Sequence, residues 1–245
     1  MHALGSSKET ERVTQRFMRE IVTWKRVSQH ENIADLLGIY RTDHDPPYLV
    51  LPYYGNNKLL AYLAQSHPDM RLILAKEIAR GVDVLHGNGV IHGDLKPENI
   101  FVSDDGHAKI ADFGVSVIPQ LAGFTTTSMN PKNVRYSAPE LLPLTDINPP
   151  MPTRQSDIFS LGILFMQLFD GRVDCLPYNH VPKNVNDGGD TNLLKRIHKP
   201  KSDRPRREDH PNISKSRWNV IAACWAADPS ARPSIRRVRA WLGQV

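Results

Sequence analysis

The 245 residues, 40% hydrophobic and 23% charged, suffice for one large core or two lobes of about 100 to 150 residues, and exclude a low-complexity or disordered chain. Two cysteines, Cys175 and Cys224, offer no Cys-x-x-Cys spacing, which excludes a disulfide framework or zinc site and points to a reducing cytoplasmic or nuclear setting. The excess of 31 Lys and Arg over 26 Asp and Glu gathers in KRIHKPKSDRPRRED and RPSIRRVRAW; without interleaved aromatics these read as solvated faces, with no specific nucleic-acid partner.

From 11 to 27, Val13, Phe17, Ile21, Trp24 and Val27 recur at helical spacing, with Glu20 on the same side. LLGIYR and YLVLPY then read as strands of a hairpin around TDHDPP. After GNNK come LLAYLAQ and a helix from about Met70 to His86, with Leu72, Ala75, Ile78, Ala79, Val82 and Leu85 as its apolar stripe. NIFV and HAKIA are brief strands around Asp-Asp-Gly. SDIFSLGILFMQLFDG is an apolar segment, 173–215 is loop-rich, and IRRVRAWL is the last helix. The longest apolar runs fall short of the roughly 20 residues that span a bilayer, and MHALGSSKET lacks a hydrophobic signal region.

The chemistry sits in VIHGDLKPENIFV and KIADFG. Asn99 and Asp112 follow Asp94 by 5 and 18 positions. Two carboxylates and an amide on neighbouring loops suit metal–nucleotide chemistry: hard oxygens hold Mg²⁺ while a separate carboxylate orients a hydroxyl.

These motifs resemble the eukaryotic protein kinase superfamily, with H-x-D-x-K-x-x-N as catalytic loop and D-F-G as metal-binding turn. Aminoglycoside and choline-type phosphotransferases share an H-G-D-x-x-x-x-N loop, with Gly where Gly93 stands. The downstream chain favours the protein kinases: SAPE resembles A-P-E, SDIFSLG resembles D-x-x-S-x-G beginning at Asp157, and DPSARPS supplies an Arg232 that pairs in that family with the Glu of A-P-E, here Glu140. The resemblance covers about residues 11–242 and narrows to a Ser/Thr kinase of the tyrosine-kinase-like type. It implies an α+β, bilobal protein-kinase-like fold with a truncated N-terminal β lobe over 1–54 (helix C, strands 4 and 5, hinge) and a mainly helical large lobe over 55–245, together one domain.

By resemblance, Asp94 orients or accepts the proton of the attacking hydroxyl and Lys96 neutralises charge on the transferred phosphoryl group. Lys96 also favours Ser/Thr over Tyr acceptors. Asn99 and Asp112 hold Mg²⁺ between the phosphates of ATP, and His92 is a packed support. Leu51 takes the gatekeeper position, the Pro52 carbonyl and Tyr54 N–H read adenine, and Phe101 forms the floor beneath it. Glu20 corresponds to the Glu that pairs with the phosphate-contacting lysine.

That lysine's strand is the expected gap. No G-x-G-x-x-G or V-A-I-K precedes Glu20, and Lys8 lies in ALGSSKET, which has no strand pattern. The expectation is a kinase impaired in this form, with a pseudokinase or kinase fragment acting as a binding module as the alternative. Thr125, Thr126, Thr127 and Ser128 form a candidate phosphorylation cluster between Asp112 and Glu140. Families with H-R-D use the Arg to grip a phosphorylated activation loop; Gly93 has no such side chain, so activity is expected to depend less on that modification. The implied partner is a protein with a Ser or Thr acceptor, and nothing in the sequence specifies an oligomer.

Overall fold

The computed structural model describes residues 15, 17, 18, 20–42, 47–118, 134–142, 150–172, 175–178, 193, 194, 197 and 204–245. Residues 20–27 form helix α1, burying Trp24 and Val27 from the apolar side of the pattern. Strands β1 (Gly38–Tyr40) and β2 (Tyr48–Val50) pair antiparallel, Ile39 opposite Leu49, as the two apolar runs predict. Helices α2 (Leu59–Leu63) and α3 (Met70–Gly87) follow. Strands β3 (Ile100–Val102) and β4 (Ala108–Ile110) form a second antiparallel pair, Phe101 opposite Lys109. Helices α4 (Arg154–Asp170), α5 (Lys215–Cys224) and α6 (Ile235–Leu242) complete the order. Two small hairpins on a mainly helical body give the bilobal α+β arrangement that the resemblance implies.

Helix α4 is apolar on all sides, and every residue from Ser156 to Asp170 is buried, as a helix surrounded by protein must be. Its start is fixed by a capping box in which Thr153 accepts from the Ser156 N–H and Ser156 accepts from the Thr153 N–H. Its end is fixed by Gly171 at φ 73°, in the left-handed region glycine tolerates best. Helix α5 lies against it at Gly162, where an added Cβ would stand 2.7 Å from the Cys224 Cβ. Helix α3 packs between α4 and α6 and against β4, burying Ala75, Ile78, Ala79, Val82 and Leu85 of the predicted stripe; Leu72 is only partly buried at its edge.

Helix α1 joins this body through its following segment. Ala34 N–H donates to the Ile110 carbonyl at 2.8 Å and Ile110 N–H to the Asn32 carbonyl at 2.9 Å, so the chain after α1 runs beside β4. The stretch 173–215 departs from the loop reading at Leu193, Leu194 and Ile197, which are helical, with Leu193 and Ile197 buried. The burial of this apolar pair, four residues apart, is tertiary, and the surrounding polar composition hides it. No helix among the described residues is long and apolar enough to cross a membrane.

One ion pair ties α3 to the β3–β4 turn. The Glu77 carboxylate accepts from the Ala108 N–H at 2.8 Å and from His107 Nδ1 at 2.7 Å. The hydrogen bond to Glu77, opposed by partial burial, raises the His107 pKa above its ordinary 6.5. A raised folded-state pKa contributes stability that is fully present below pH 6.5 and lost as pH rises through the folded value. Urea denaturation should therefore separate wild type from His107→Gln more at about pH 6 than at about pH 8; equal separations would contradict this linkage.

Candidate active site

The loop between α3 and β3 is built around one buried carboxylate. Asp157, 1% exposed, sits in the first turn of α4, where the helix N-terminus favours negative charge. It accepts from the His92 N–H on Oδ2 and from the Gly93 N–H on Oδ1, both at 2.9 Å, and contacts His86 Nε2 at 2.9 Å. A buried carboxylate needs such partners, and here two are consecutive amides of the loop. The loop backbone is therefore referenced directly to the core helix.

His92 transmits that order to both sides. Its Nε2 lies 3.0 Å from the Ala111 carbonyl and its Nδ1 3.2 Å from the Asp94 N–H. A carbonyl can only accept and an amide N–H only donates, so the partners assign the proton to Nε2. The Ser116 hydroxyl donates to the His92 carbonyl at 3.0 Å, and Ile91 and Val117 exchange two backbone bonds of 2.9 Å. Phe113 packs against the His92 ring at 5.3 Å and against Trp24 at 5.1 Å. Helix α1, the His92 loop and the D-F-G turn thus share one buried aromatic contact.

The polar residues of the loop converge on Asp94. Lys96 Nζ lies 2.6 Å from Asp94 Oδ2, with the two side chains 14% and 21% exposed. Asn99 Nδ2 donates to the Asp94 carbonyl at 2.9 Å and to Asp94 Oδ2 at 3.2 Å. Its amide nitrogen being committed, the Asn99 Oδ1 is left as an oxygen donor. Asp112 is exposed, and its Oδ1 accepts from the Gly114 N–H at 3.3 Å. At φ 64° Asp112 occupies the left-handed region, a conformation that costs a non-glycine residue about 1–3 kcal/mol and concentrates at functional sites. Carboxylate and amide oxygens are the hard donors Mg²⁺ prefers, so the residues fit that ion.

Leu51, Pro52 and Tyr54 lie between β2 and α2, all partly buried. Between described residues, no hydrogen bond uses the Pro52 carbonyl or the Tyr54 N–H. The Tyr54 ring sits 5.6 Å from Phe101, and its hydroxyl accepts from the Asp35 N–H at 3.4 Å. Burial, outweighing that bond, raises its pKa above 10. The segment is clamped to the β3–β4 turn: Asp104 Oδ1 accepts from the Gly55 N–H at 2.7 Å, and the Asn57 carbonyl from the Val102 N–H at 2.9 Å. Glu20 is half-buried on α1.

Glu140 and Arg232 are brought together across 92 residues of chain. Their bidentate pair spans 2.6 and 2.9 Å; the Arg232 side chain is 0% exposed and also donates to the carbonyls of Gln155 and Ala226. Thr125, Thr126, Thr127 and Ser128 lie outside the described residues.

Several contributors carry no sequence signal of their own. His86 ends an amphipathic helix, Ser116 follows D-F-G, and Trp24 reads as core; only their spatial partners reveal them. A second buried cluster joins Asp170 to Arg172 at 2.6 Å and to His210 at 2.5 Å, with Cys175 Sγ 3.7 Å from His210 Nδ1. Burial alone would raise Asp170, but the Arg172 and His210 hydrogen bonds hold it down to about 2. Burial, then the Asp170 charge, push the Cys175 thiol up to about 11. A guanidinium on the carboxylate and a protonated thiol disfavour a metal there; the cluster ties the end of α4 to the segment before α5.

A family model described as "Protein kinase domain" matches residues 2–241. Serine/threonine-protein kinase 12 of Arabidopsis thaliana is 29% identical over 229 residues, 91% of this chain and 46% of its own length. The probable serine/threonine-protein kinase KCC4 of Saccharomyces cerevisiae is 30% identical over 223 residues, 90% of this chain and 20% of its own. Fibroblast growth factor receptor 1 of Pleurodeles waltl is 29% identical over 253 residues, 95% of this chain and 29% of its own. The chain spans less than half the length of each of these relatives.

Gly93 has a physical reason as well as a motif position. Its φ is +80°, and an added Cβ would stand 3.1 Å from the Pro152 Cγ and 3.2 Å from the Val115 carbonyl. Gly93→Ala should lower stability by about 1–2 kcal/mol. Gly87→Ala, at the open end of α3 where nothing lies within 4 Å, should be neutral or stabilising by up to about 1 kcal/mol. Urea midpoints check the pair; a harmless Gly93→Ala would contradict the assigned geometry.

Proposed function

The chain belongs to the protein kinase family, whose model covers residues 2–241, and from that premise we propose that it transfers the γ-phosphoryl group of ATP to a Ser or Thr hydroxyl of a protein. The observation that carries this reading is the convergence of Lys96 and Asn99 on Asp94, in a loop whose backbone is pinned from the core. Phosphoryl transfer asks a protein mainly for positioning and charge stabilisation, and this loop supplies both.

In this mechanism Asp94 orients the acceptor hydroxyl and takes its proton as the oxygen attacks the γ-phosphorus, while the bond from that phosphorus to the β–γ bridging oxygen breaks and ADP leaves. Lys96, already at the Asp94 carboxylate, offers its ammonium to the charge on the transferred group. Asn99 and Asp112 would hold Mg²⁺ through their side-chain oxygens. An ion held there would supply positive charge to offset the negative charge of the phosphates. The Pro52 carbonyl accepts from the adenine amino group and the Tyr54 N–H donates to a ring nitrogen. Phe101 supports the purine, Leu51 limits the depth of its pocket, and Glu20 takes the position of the Glu that in this family pairs with a phosphate-contacting lysine, whose V-A-I-K strand does not precede it here. His92, Asp157, Glu140 and Arg232 act through the loops they hold. Residues 1–54 contribute the small-lobe part and 55–245 the large lobe.

Ser/Thr specificity rests on Lys96, two residues after Asp94; the relatives include both Ser/Thr kinases and a growth factor receptor. The two buried, unpaired cysteines fit a cytoplasmic or nuclear setting. The Glu140–Arg232 pair favours a protein kinase over a small-molecule phosphotransferase. A second reading, a binding module with weak or no transfer, draws on exposed apolar side chains of the first hairpin: Ile39, Tyr40, Tyr48 and Val50 are 42%, 60%, 52% and 38% exposed, a surface suited to a docked partner.

Asp94→Asn separates the two. Phosphate transfer to Ser, Thr and Tyr peptides should fall about 10²–10⁴-fold, with Mg²⁺–ATP binding retained. Equal transfer by wild type and variant would refute Asp94-dependent catalysis, and transfer to Tyr alone would overturn the Ser/Thr assignment.

A further inference from the structure

The basic stretch RPSIRRVRAW takes no part in the site described above, yet it is placed against a second set of cations. Helix α3 carries Lys76 and Arg80 four residues apart, and α6 carries Arg236 and Arg239 three apart. These spacings put each pair on one helix face, and the two pairs line a cavity of about 430 Å³ between the helices. A second hollow of about 480 Å³ adjoins it, lined among others by Arg154, Asp83 and Ser234, with Arg236 bordering both.

The charges there do not balance. Asp83 is shared by Arg239 and, at 3.9 Å, Arg236, and Glu31 pairs with Arg80 at 2.8 Å. Lys76 has no carboxylate partner among the described residues, and Arg154 donates to the His86 carbonyl at 2.7 Å. Five cations thus face two carboxylates. Among the described residues, the Arg236 side chain, 86% exposed, has only its long contact with Asp83 to hold it.

We propose that this groove is a docking site for an acidic polypeptide segment of a partner protein. Charge complementarity sets the sign of the occupant. Its extent follows from cations distributed along two adjoining hollows instead of converging on one point, which suits a chain of carboxylates better than a single small anion. The cations line a concavity with small residues, Ala240 and Gly243, in its wall, so a flat bilayer surface would not engage them together. No Phe, Tyr or Trp ring is among the described residues lining either hollow, as a single-stranded nucleic acid would use for stacking. The inference does not depend on phosphoryl transfer.

The test is fluorescence anisotropy of a fluorescein-labelled oligoglutamate titrated with the full chain. Binding should be weakened about tenfold or more by the double change Lys76→Glu and Arg236→Glu. It should be lost near about 1 M salt, where the screening length is about 3 Å. Arg237→Glu, on a side chain stacked over Trp241 outside the groove, should leave binding unchanged. Should the double variant melt early, the charge-neutral Lys76→Gln and Arg236→Gln pair provides the same reading. Unchanged binding by the groove variants, or equal weakening by Arg237→Glu, overturns the proposal. So does groove-dependent binding of phosphatidylserine vesicles that displaces the peptide, since the site would then be a membrane contact.

Discussion

The carboxylate of Asp157 is the contact on which the rest of the site depends. It lies in the first turn of the most buried helix and receives the amides of His92 and Gly93 with the ring of His86. Removing one partner from a buried charged network leaves the others unsatisfied, at a cost of about 3–5 kcal/mol. The loop therefore cannot drift without uncovering a charge in the core. Because the bonded amides immediately precede Asp94, the position of α4 dictates that of the proposed base. His92 extends the constraint by bonding both the Asp94 amide and the Ala111 carbonyl, which sets the strand end before Asp112.

Helix α4 serves as a hub at both ends. Near its start, Arg232 crosses from the segment before α6 to grip Glu140 and the Gln155 carbonyl. At its last residue a second buried carboxylate, Asp170, stands where the helix dipole disfavours negative charge. Arg172 and His210 offset that. An apolar helix whose ends are tied by charged hydrogen bonds can hold loops from three directions in one register. That division of labour explains why the polar groups proposed for phosphoryl transfer sit on loops while their supports sit in the core.

Much of this was legible in the amino acids. Helical spacing gave α1 and α3, two short apolar runs around an Asp- and Pro-rich turn gave the first hairpin, and the HGDLKPEN, ADFG and SAPE stretches supplied the candidate site residues. What escaped was spatial. His86 looks like any polar residue near a helix end, and its role exists only because Asp157 arrives 71 residues later. Trp24 and Phe113 belong to unrelated motifs until the fold stacks them. Leu193 and Ile197 are buried within a stretch whose composition reads as loop. Gly93 changes meaning most: by motif it is the absence of an arginine, whereas the backbone shows a left-handed turn packed against Pro152, where any side chain is strained.

The most direct measurement of the central claim is amide hydrogen exchange at His92 and Gly93 in wild type and Asp157→Ala. If the buried carboxylate pins the loop, both amides exchange slowly in wild type. In the variant they should speed up well beyond any change in the amides of Ile78 and Val82 in the buried middle of α3, where exchange requires global opening. Exchange at His92 and Gly93 that is unchanged, or raised only in proportion to the whole chain, would contradict the account.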